Sequence, residues 1–154
     1  MMPILFNKIL IIHLIFTSAM VGIIWLIQLV HYPSFLFIDK QKYSSFQNFH
    51  MQRISFIVMP VMLIELFSGL FILFKLYVPS SQVLSSFYSN ENYFYFSLLS
   101  LILIWIFTGL VFTKIHTALL VNFNEQRIKY LIAYNWIRTI LWSARLILLI
   151  FFYF

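Results

Sequence analysis

Residues 9–30 read ILIIHLIFTSAMVGIIWLIQLV, an apolar stretch broken only by scattered polar residues. A helix needs roughly 20 apolar residues to cross a bilayer, so this stretch is long enough to do so. A signal peptide is the alternative, because Lys8 precedes the stretch and Ala19 lies inside it. The apolar part of a signal peptide is only about 7 to 15 residues long, which favours a retained membrane span.

Three further stretches have the same character, at residues 54–74, 93–115 and 131–152. Of the 154 residues, 63% are hydrophobic and only 9% are charged. Soluble domains carry about 25% charged residues, so the composition excludes a soluble globular protein. Four spans with short connections predict a single all-α domain over residues 1–154, an integral membrane up-down four-helix bundle.

The charged residues predict how the bundle is oriented. The chain has a net charge of +6, but its ten cations are spread out, which favours a membrane lipid surface over nucleic acid as the partner. Six of them flank loops one and three, the connections between the first two and the last two helices: Lys40, Lys42, Arg53, Lys114, Arg127 and Lys129. Only Lys8 and Lys75 flank the other side. By the positive-inside rule, we expect loops one and three in the cytoplasm of a bacterial inner membrane, with both termini outside.

Local patterns predict where the first two helices end, begin and approach their neighbours. A helical repeat of polar and aromatic residues starts at Tyr43, so we expect the second helix to begin there. Pro33 disfavours a continuing helix, which predicts an end or a bend around His31 and Tyr32. Gly22, in the first helix, predicts a close approach of another helix.

Three charged residues lie deep within the spans, namely Glu65, Arg138 and Arg145. Charged groups are costly in lipid and should face the bundle interior. Helical spacing places four residues of the last helix on one stripe, predicted to face Glu65: Asn135, Arg138, Trp142 and Arg145. Two arginines against one glutamate leave a positive charge that suits an anionic ligand. The alternative is a Glu–Arg pair that only locks the second helix to the fourth.

The inner half of the first helix supplies further candidate ligand contacts, Trp25, Gln28 and Tyr32, to be joined by Asn135 and Trp142. Trp25 and Tyr32 equally suit an interfacial aromatic belt. If buried, the Gln28 amide needs partners, and the candidates at similar depth are His50, Arg53, Thr108, His116, Asn122 and Asn135.

Three histidines, His31, His50 and His116, are predicted to collect near the cytoplasmic end, each from a different span. Three imidazoles can bind zinc or iron, although interfacial histidines are also commonly solvated. Haem ligation by His13 and a second histidine is a variant of this hypothesis. No cofactor is favoured, and the absence of cysteine excludes thiolate sites.

Two segments carry a family resemblance. They contain Gly22, Trp25, Gln28, His31, Tyr32, Pro33 and Phe35 in the first, and Asn135, Trp136, Arg138, Thr139, Trp142 and Arg145 in the second. The chain resembles a group of small four-helix bacterial membrane proteins of unknown function, itself distantly similar to the anthrone-oxygenase-like family. Only Pro33, Asn135, Arg138 and Thr139 match the pattern shared with that family. The resemblance implies a compact membrane bundle and, from the fungal members, an oxygenase that acts on phenolic polyketides without a conventional cofactor.

Two functional hypotheses follow. The first is an oxygenase- or oxidoreductase-like membrane enzyme acting on a hydrophobic anionic or phenolic small molecule, with catalytic roles for Glu65, Arg138, Arg145 and His13. The second is a non-catalytic protein that binds lipid or quinone, or an accessory subunit of a larger membrane complex. Either one is compatible with a homo-oligomer.

Overall fold

The structure is a computed structural model that describes residues 2–77 and 90–153. Within these ranges four helical segments are long and apolar enough to cross a membrane, and we call them the first to fourth spans: Ile4–Phe37, Tyr43–Tyr77, Glu91–Val121 and Glu125–Tyr153. The predicted all-α four-helix fold is confirmed. Each segment extends beyond its predicted apolar stretch, because the helices continue into polar flanking residues. The predicted start of the second helix at Tyr43 is also confirmed.

The first and third spans are not regular α-helices throughout. The first is α-helical over Met2–Leu26, π-helical over Ile27–His31, and continues through Tyr32–Ser34 and a 3₁₀ turn at Phe35–Phe37. The third is α-helical over Glu91–Phe107, π-helical over Thr108–Phe112 and α-helical over Thr113–Val121.

The sequence predicted an end or a bend around His31 and Tyr32. The helix does not end there, but a backbone irregularity is present at this point, as a π turn. In the π turn the Tyr32 N–H donates to the Ile27 carbonyl, one residue further back than in an α-helix. Pro33, which has no N–H to donate, follows this widened turn directly. The helical path therefore passes Pro33 and ends only at Phe37.

Each span packs against two neighbours. The first packs against the second and the fourth, and the third packs along the fourth through Glu91–Phe107. The contact between the second and third spans lies mainly in Thr113–Val121, close to loops one and three. Farther from those loops, the second and third spans are less closely apposed.

The interior consists of two apolar clusters with a polar layer between them. One cluster, which includes Met20, Met62 and Trp142, lies towards loops one and three, and the other includes Leu10 and Leu149. The polar layer contains the buried side chains of His13, Glu65, Ser68 and Arg145.

The close helix approach predicted at Gly22 is wrong, because a Cβ atom there would meet nothing within 4 Å. Gly69 has this role instead. A Cβ atom on Gly69 would lie 3.1 Å from Cε1 of His13 and 3.7 Å from methyl groups of Leu98 and Leu101. Gly69 therefore lies where the first, second and third spans meet.

Candidate functional site: an intramembrane cavity beside Arg138

A cavity of about 160 Å³ lies in the half of the bundle nearer to loops one and three. Residues from all four spans line it: Ile27, Tyr32, His50, Met51, Ile54, Ser55, Val58, Met59, Met62, Thr108, Phe112, Thr113, His116 and Arg138. Most of the wall surface is apolar, and seven polar side chains also reach it: Tyr32, His50, Ser55, Thr108, Thr113, His116 and Arg138. A few polar groups in an otherwise apolar pocket are typical of a small-molecule site.

Arg138 is the cationic group of the cavity wall. Its side chain is buried, and its guanidinium carbon lies 4.4 Å from the centre of the Phe112 ring and 5.2 Å from that of Trp142. The guanidinium also lies beside the Tyr32 hydroxyl, which is a neutral group. Its Nε atom has no hydrogen-bond partner. Aromatic faces therefore hold this cation, and they contribute about 0.5 to 2 kcal/mol each.

No carboxylate neutralises Arg138. The chain contains four acidic residues, Asp39, Glu65, Glu91 and Glu125, all of them in the part of the chain that the structure describes. Glu65 pairs with Arg145 and Glu125 pairs with Lys129, while none of the four lies within 4.0 Å of Arg138. The excess positive charge that the sequence predicted is therefore located at Arg138.

The three predicted histidines come together beside this cavity, as the sequence indicated. Nε2 of His31 is 2.8 Å from Nδ1 of His50, and the rings of His50 and His116 are 5.4 Å apart. The two ring nitrogens of His116 are hydrogen-bonded to the Tyr32 hydroxyl at 3.1 Å and the Gln47 amide at 2.9 Å. Nε2 of His50 is buried without a partner.

The three histidines do not converge on a common point. Among the described residues, no group of three or more His, Cys, Asp or Glu side chains could hold a metal ion. The physical reason is that the ring nitrogens bond to one another and to neighbouring side chains instead of converging on one point. His31 and His50 are joined directly, and both nitrogens of His116 are occupied.

Glu65, Arg145 and His13 form a second polar site, in the layer between the apolar clusters. The carboxylate of Glu65 accepts hydrogen bonds from Nη1 of Arg145 and, at 3.3 Å, from Nε1 of Trp142. Arg145 also donates through Nη2 to Nε2 of His13, at 2.9 Å. This network joins the first, second and fourth spans, and none of its members lines the cavity.

The hydrogen bonds around His13 fix its tautomer. Since Nε2 accepts from Arg145, the ring proton lies on Nδ1 and is donated to Oγ of Ser68, at 2.7 Å. Ser68 in turn donates to the Ile64 carbonyl at 2.6 Å. Both ring nitrogens of His13 are thus engaged in hydrogen bonds.

The predicted stripe on the fourth span is buried, as expected, but its members have different partners. Nδ2 of Asn135 donates to Oε1 of Gln28 at 2.8 Å, and Nε2 of Gln28 donates to the Ile132 carbonyl at 3.2 Å. Trp142 lies between the two arginines, since it stacks on Arg138 and donates to Glu65. Of the predicted partners of Gln28, the structure selects Asn135.

Of the predicted ligand contacts, only Tyr32 lines the cavity. Trp25 packs edge-on against Trp136, 5.7 Å between ring centres, and donates to Ser143 at 3.1 Å. Gln28, Asn135 and Trp142 lie behind the wall and join helices to one another.

Apart from His50, Thr108 and His116, the sequence did not indicate which residues of the second and third spans line the cavity. The other members of the wall, among them Met51, Ser55, Met62 and Phe112, resemble ordinary lipid-facing or core residues in an apolar helix. The irregular turn at Thr108–Phe112 carries no proline that would have indicated it.

Comparison of the chain with protein-family models, with curated proteins and with solved structures finds no match.

Proposed function

We propose that this protein binds a hydrophobic small molecule with an anionic or phenolic head group inside the membrane, and that Arg138 holds the head group. The observation that carries the proposal is a buried arginine without a carboxylate partner in the wall of a mainly apolar cavity. A buried unpaired charge is destabilising, so its retention is best explained by a ligand that neutralises it.

The chemistry of the head group follows from the donors around it. Guanidinium groups bind carboxylates, phosphates and phenolates through charge-assisted hydrogen bonds. Tyr32 adds a hydroxyl and His50 adds a ring nitrogen without a partner. The surface of the remaining wall is mainly apolar, which suits the body of a lipid-soluble molecule better than a hydrated ion.

A second candidate function is catalysis, as an oxygenase- or oxidoreductase-like enzyme acting on that molecule. It is favoured by His50, which lines the same cavity as Arg138 and whose Nε2 atom has no hydrogen-bond partner and is therefore free to accept a proton. A phenol that lost its proton to His50 would become a phenolate stabilised by Arg138, and phenolates are the electron-rich forms that react with dioxygen. Glu65, Arg145 and His13 then have no direct role in the reaction, because they do not line the cavity.

Binding of 4-dodecylphenol and of dodecanoate to the protein in lipid nanodiscs tests the proposal. We expect Arg138→Gln to weaken binding of at least one probe about tenfold or more, because a charge-assisted hydrogen bond contributes about 1.5 to 3 kcal/mol. Arg53→Gln removes an exposed arginine of the second span and is the matched control. Equal affinities in the wild type and in both variants would rule the binding function out.

An absorption spectrum, a metal analysis and native mass spectrometry of the purified protein complement this test. A retained hydrophobic acid or phenol, lost in Arg138→Gln, supports the proposal. A Soret band or stoichiometric iron or zinc would make a metal-dependent oxidoreductase the better account.

We further propose that the bundle lies in a bacterial inner membrane with loops one and three in the cytoplasm. The support is the distribution of lysine and arginine, which favours those loops. In this orientation the cavity lies in the cytoplasmic half of the bilayer.

A further inference from the structure

The volume of the cavity limits what can be enclosed in it. Ligand pockets are commonly about 300 to 1,000 Å³, whereas an enclosed cavity of about 150 Å³ in another protein accommodates one benzene molecule. The cavity beside Arg138 has about 160 Å³. This volume matches a single six-membered ring, and a fused tricyclic system would have to extend beyond it.

The composition of the walls suits an aromatic ring with one polar substituent. Phe112 and Tyr32 present aromatic surfaces, and Val58 and Met62 supply aliphatic and thioether contacts. Tyr32 and His116 lie on the side of Arg138, where a phenolic oxygen would be in reach of the guanidinium, while the hydroxyls of Ser55 and Thr113 lie towards the surface of the bundle. The other end of such a ring would face the second and third spans.

The cavity is open between those two spans. Ser55, Met59 and Thr113 line it and are also exposed on the surface of the bundle. The residues beside this opening are apolar and face outward, with Phe56 82% exposed and Leu110 61% exposed. An outward apolar surface at this depth faces lipid, so the opening leads into the bilayer.

The opening lies beside a proline in the α-helical second span and beside a π-helical turn in the third span. Pro60 cannot donate a hydrogen bond to the Phe56 carbonyl, and the third span is π-helical over Thr108–Phe112. The main contact between these spans lies nearer to loops one and three, in Thr113–Val121. The gap is therefore part of the backbone geometry and does not depend on one side-chain rotamer.

We propose that the ligand is a single-ring phenolic amphiphile whose ring occupies the cavity and whose alkyl tail passes between the second and third spans into the lipid. This inference rests on the proposed binding function and specifies its ligand class and its route of access. The molecule reaches Arg138 sideways from the bilayer, with its tail still in lipid.

Photolabelling tests the route. The probe is a 4-alkylphenol that carries a diazirine at the end of its tail, irradiated with the protein in lipid nanodiscs. We expect covalent labels on outward-facing residues of the second and third spans beside the opening, such as Phe56 and Leu110. Labels confined to the first or fourth span would overturn the proposed route.

Two tryptophan variants supply the matched comparison. Ser55→Trp places a large ring in the opening, while Phe56→Trp changes the neighbouring residue, which does not line the cavity. Labelling should fall at least tenfold in Ser55→Trp and remain near wild type in Phe56→Trp. Unchanged labelling in Ser55→Trp would refute access through this opening. If Arg138→Gln still failed to bind the probe in that case, the proposed binding function would stand without this route.

Competition tests the ligand class. Unlabelled 4-dodecylphenol should displace the probe at concentrations at least tenfold lower than dodecanoate or 1,8-dihydroxyanthrone. Equal competition by dodecanoate would show that any anionic head is accepted and would overturn the phenolic assignment. Equal competition by the tricyclic compound would overturn the single-ring limit.

Discussion

Glu65 and Arg145 neutralise each other inside the bundle, and each is fully buried. Removing one partner of a buried pair leaves an uncompensated charge, which costs about 3 to 5 kcal/mol. We expect Glu65→Leu to lower the free energy of unfolding by about this amount, measured by denaturation in mild detergent. The double variant Glu65→Leu/Arg145→Met removes both charges and should recover most of the loss. A double variant as unstable as the single one would contradict the role of the pair as a helix lock.

Arg138 should respond in the opposite way, although it lies on the same stripe. Because Arg138 has no carboxylate partner, its removal leaves no unpaired negative charge in the bundle. Arg138→Met replaces an unpaired buried cation with an apolar side chain of similar length. We expect the ligand-free protein to keep its wild-type unfolding midpoint or to gain stability, while binding of 4-dodecylphenol is lost. Thermal unfolding with and without the probe separates the two effects. A loss of several kcal/mol in Arg138→Met without ligand would show that the residue is structural.

At the scale of the helices, Gly69 and Gly22 differ in what surrounds them. A Cβ on Gly69 would press on His13, which cannot yield easily because Arg145 and Ser68 hold both of its ring nitrogens. We expect Gly69→Ala to destabilise the bundle by about 1 to 3 kcal/mol, as overpacking does. Gly22→Ala meets open space and should be neutral or stabilising by up to about 1 kcal/mol. Equal unfolding midpoints for the two variants would argue against a tight contact at Gly69.

Hydropathy and helical spacing were sufficient to predict the four spans and the buried stripe on the fourth. They could not determine which arginine meets Glu65, because that depends on the axial position of the second span relative to the fourth. The two arginines are seven residues apart, or roughly 10 Å along the helix, so a modest shift exchanges the pairing. The cavity was not predictable for a related reason, since it arises where the second and third spans separate.

At the scale of the whole molecule, loops one and three lie at the same end of the bundle, and the chain contains no cysteine. Single cysteines therefore report its orientation without a background signal. In intact cells, a membrane-impermeant maleimide should label Asn92→Cys, whereas Lys42→Cys and Gln126→Cys should react only after lysis. Reaction of Lys42→Cys and Asn92→Cys from the same side would contradict the four-span topology, and a reversed pattern would place loops one and three outside.

The two π turns border the cavity from opposite sides, through Ile27 in one and Thr108 and Phe112 in the other. A π turn takes one residue more per hydrogen-bonded turn than an α-helix, so each is equivalent to a one-residue insertion absorbed locally. Deletion of the outward-facing leucine of either turn, Leu29 or Leu110, should restore a regular α-helix there. The residues on both sides of the deletion should keep the same faces towards the core. The bundle would then tolerate the deletion while the cavity narrowed. We therefore expect chain length at these two points, independently of side-chain identity, to determine the width of the space beside Arg138.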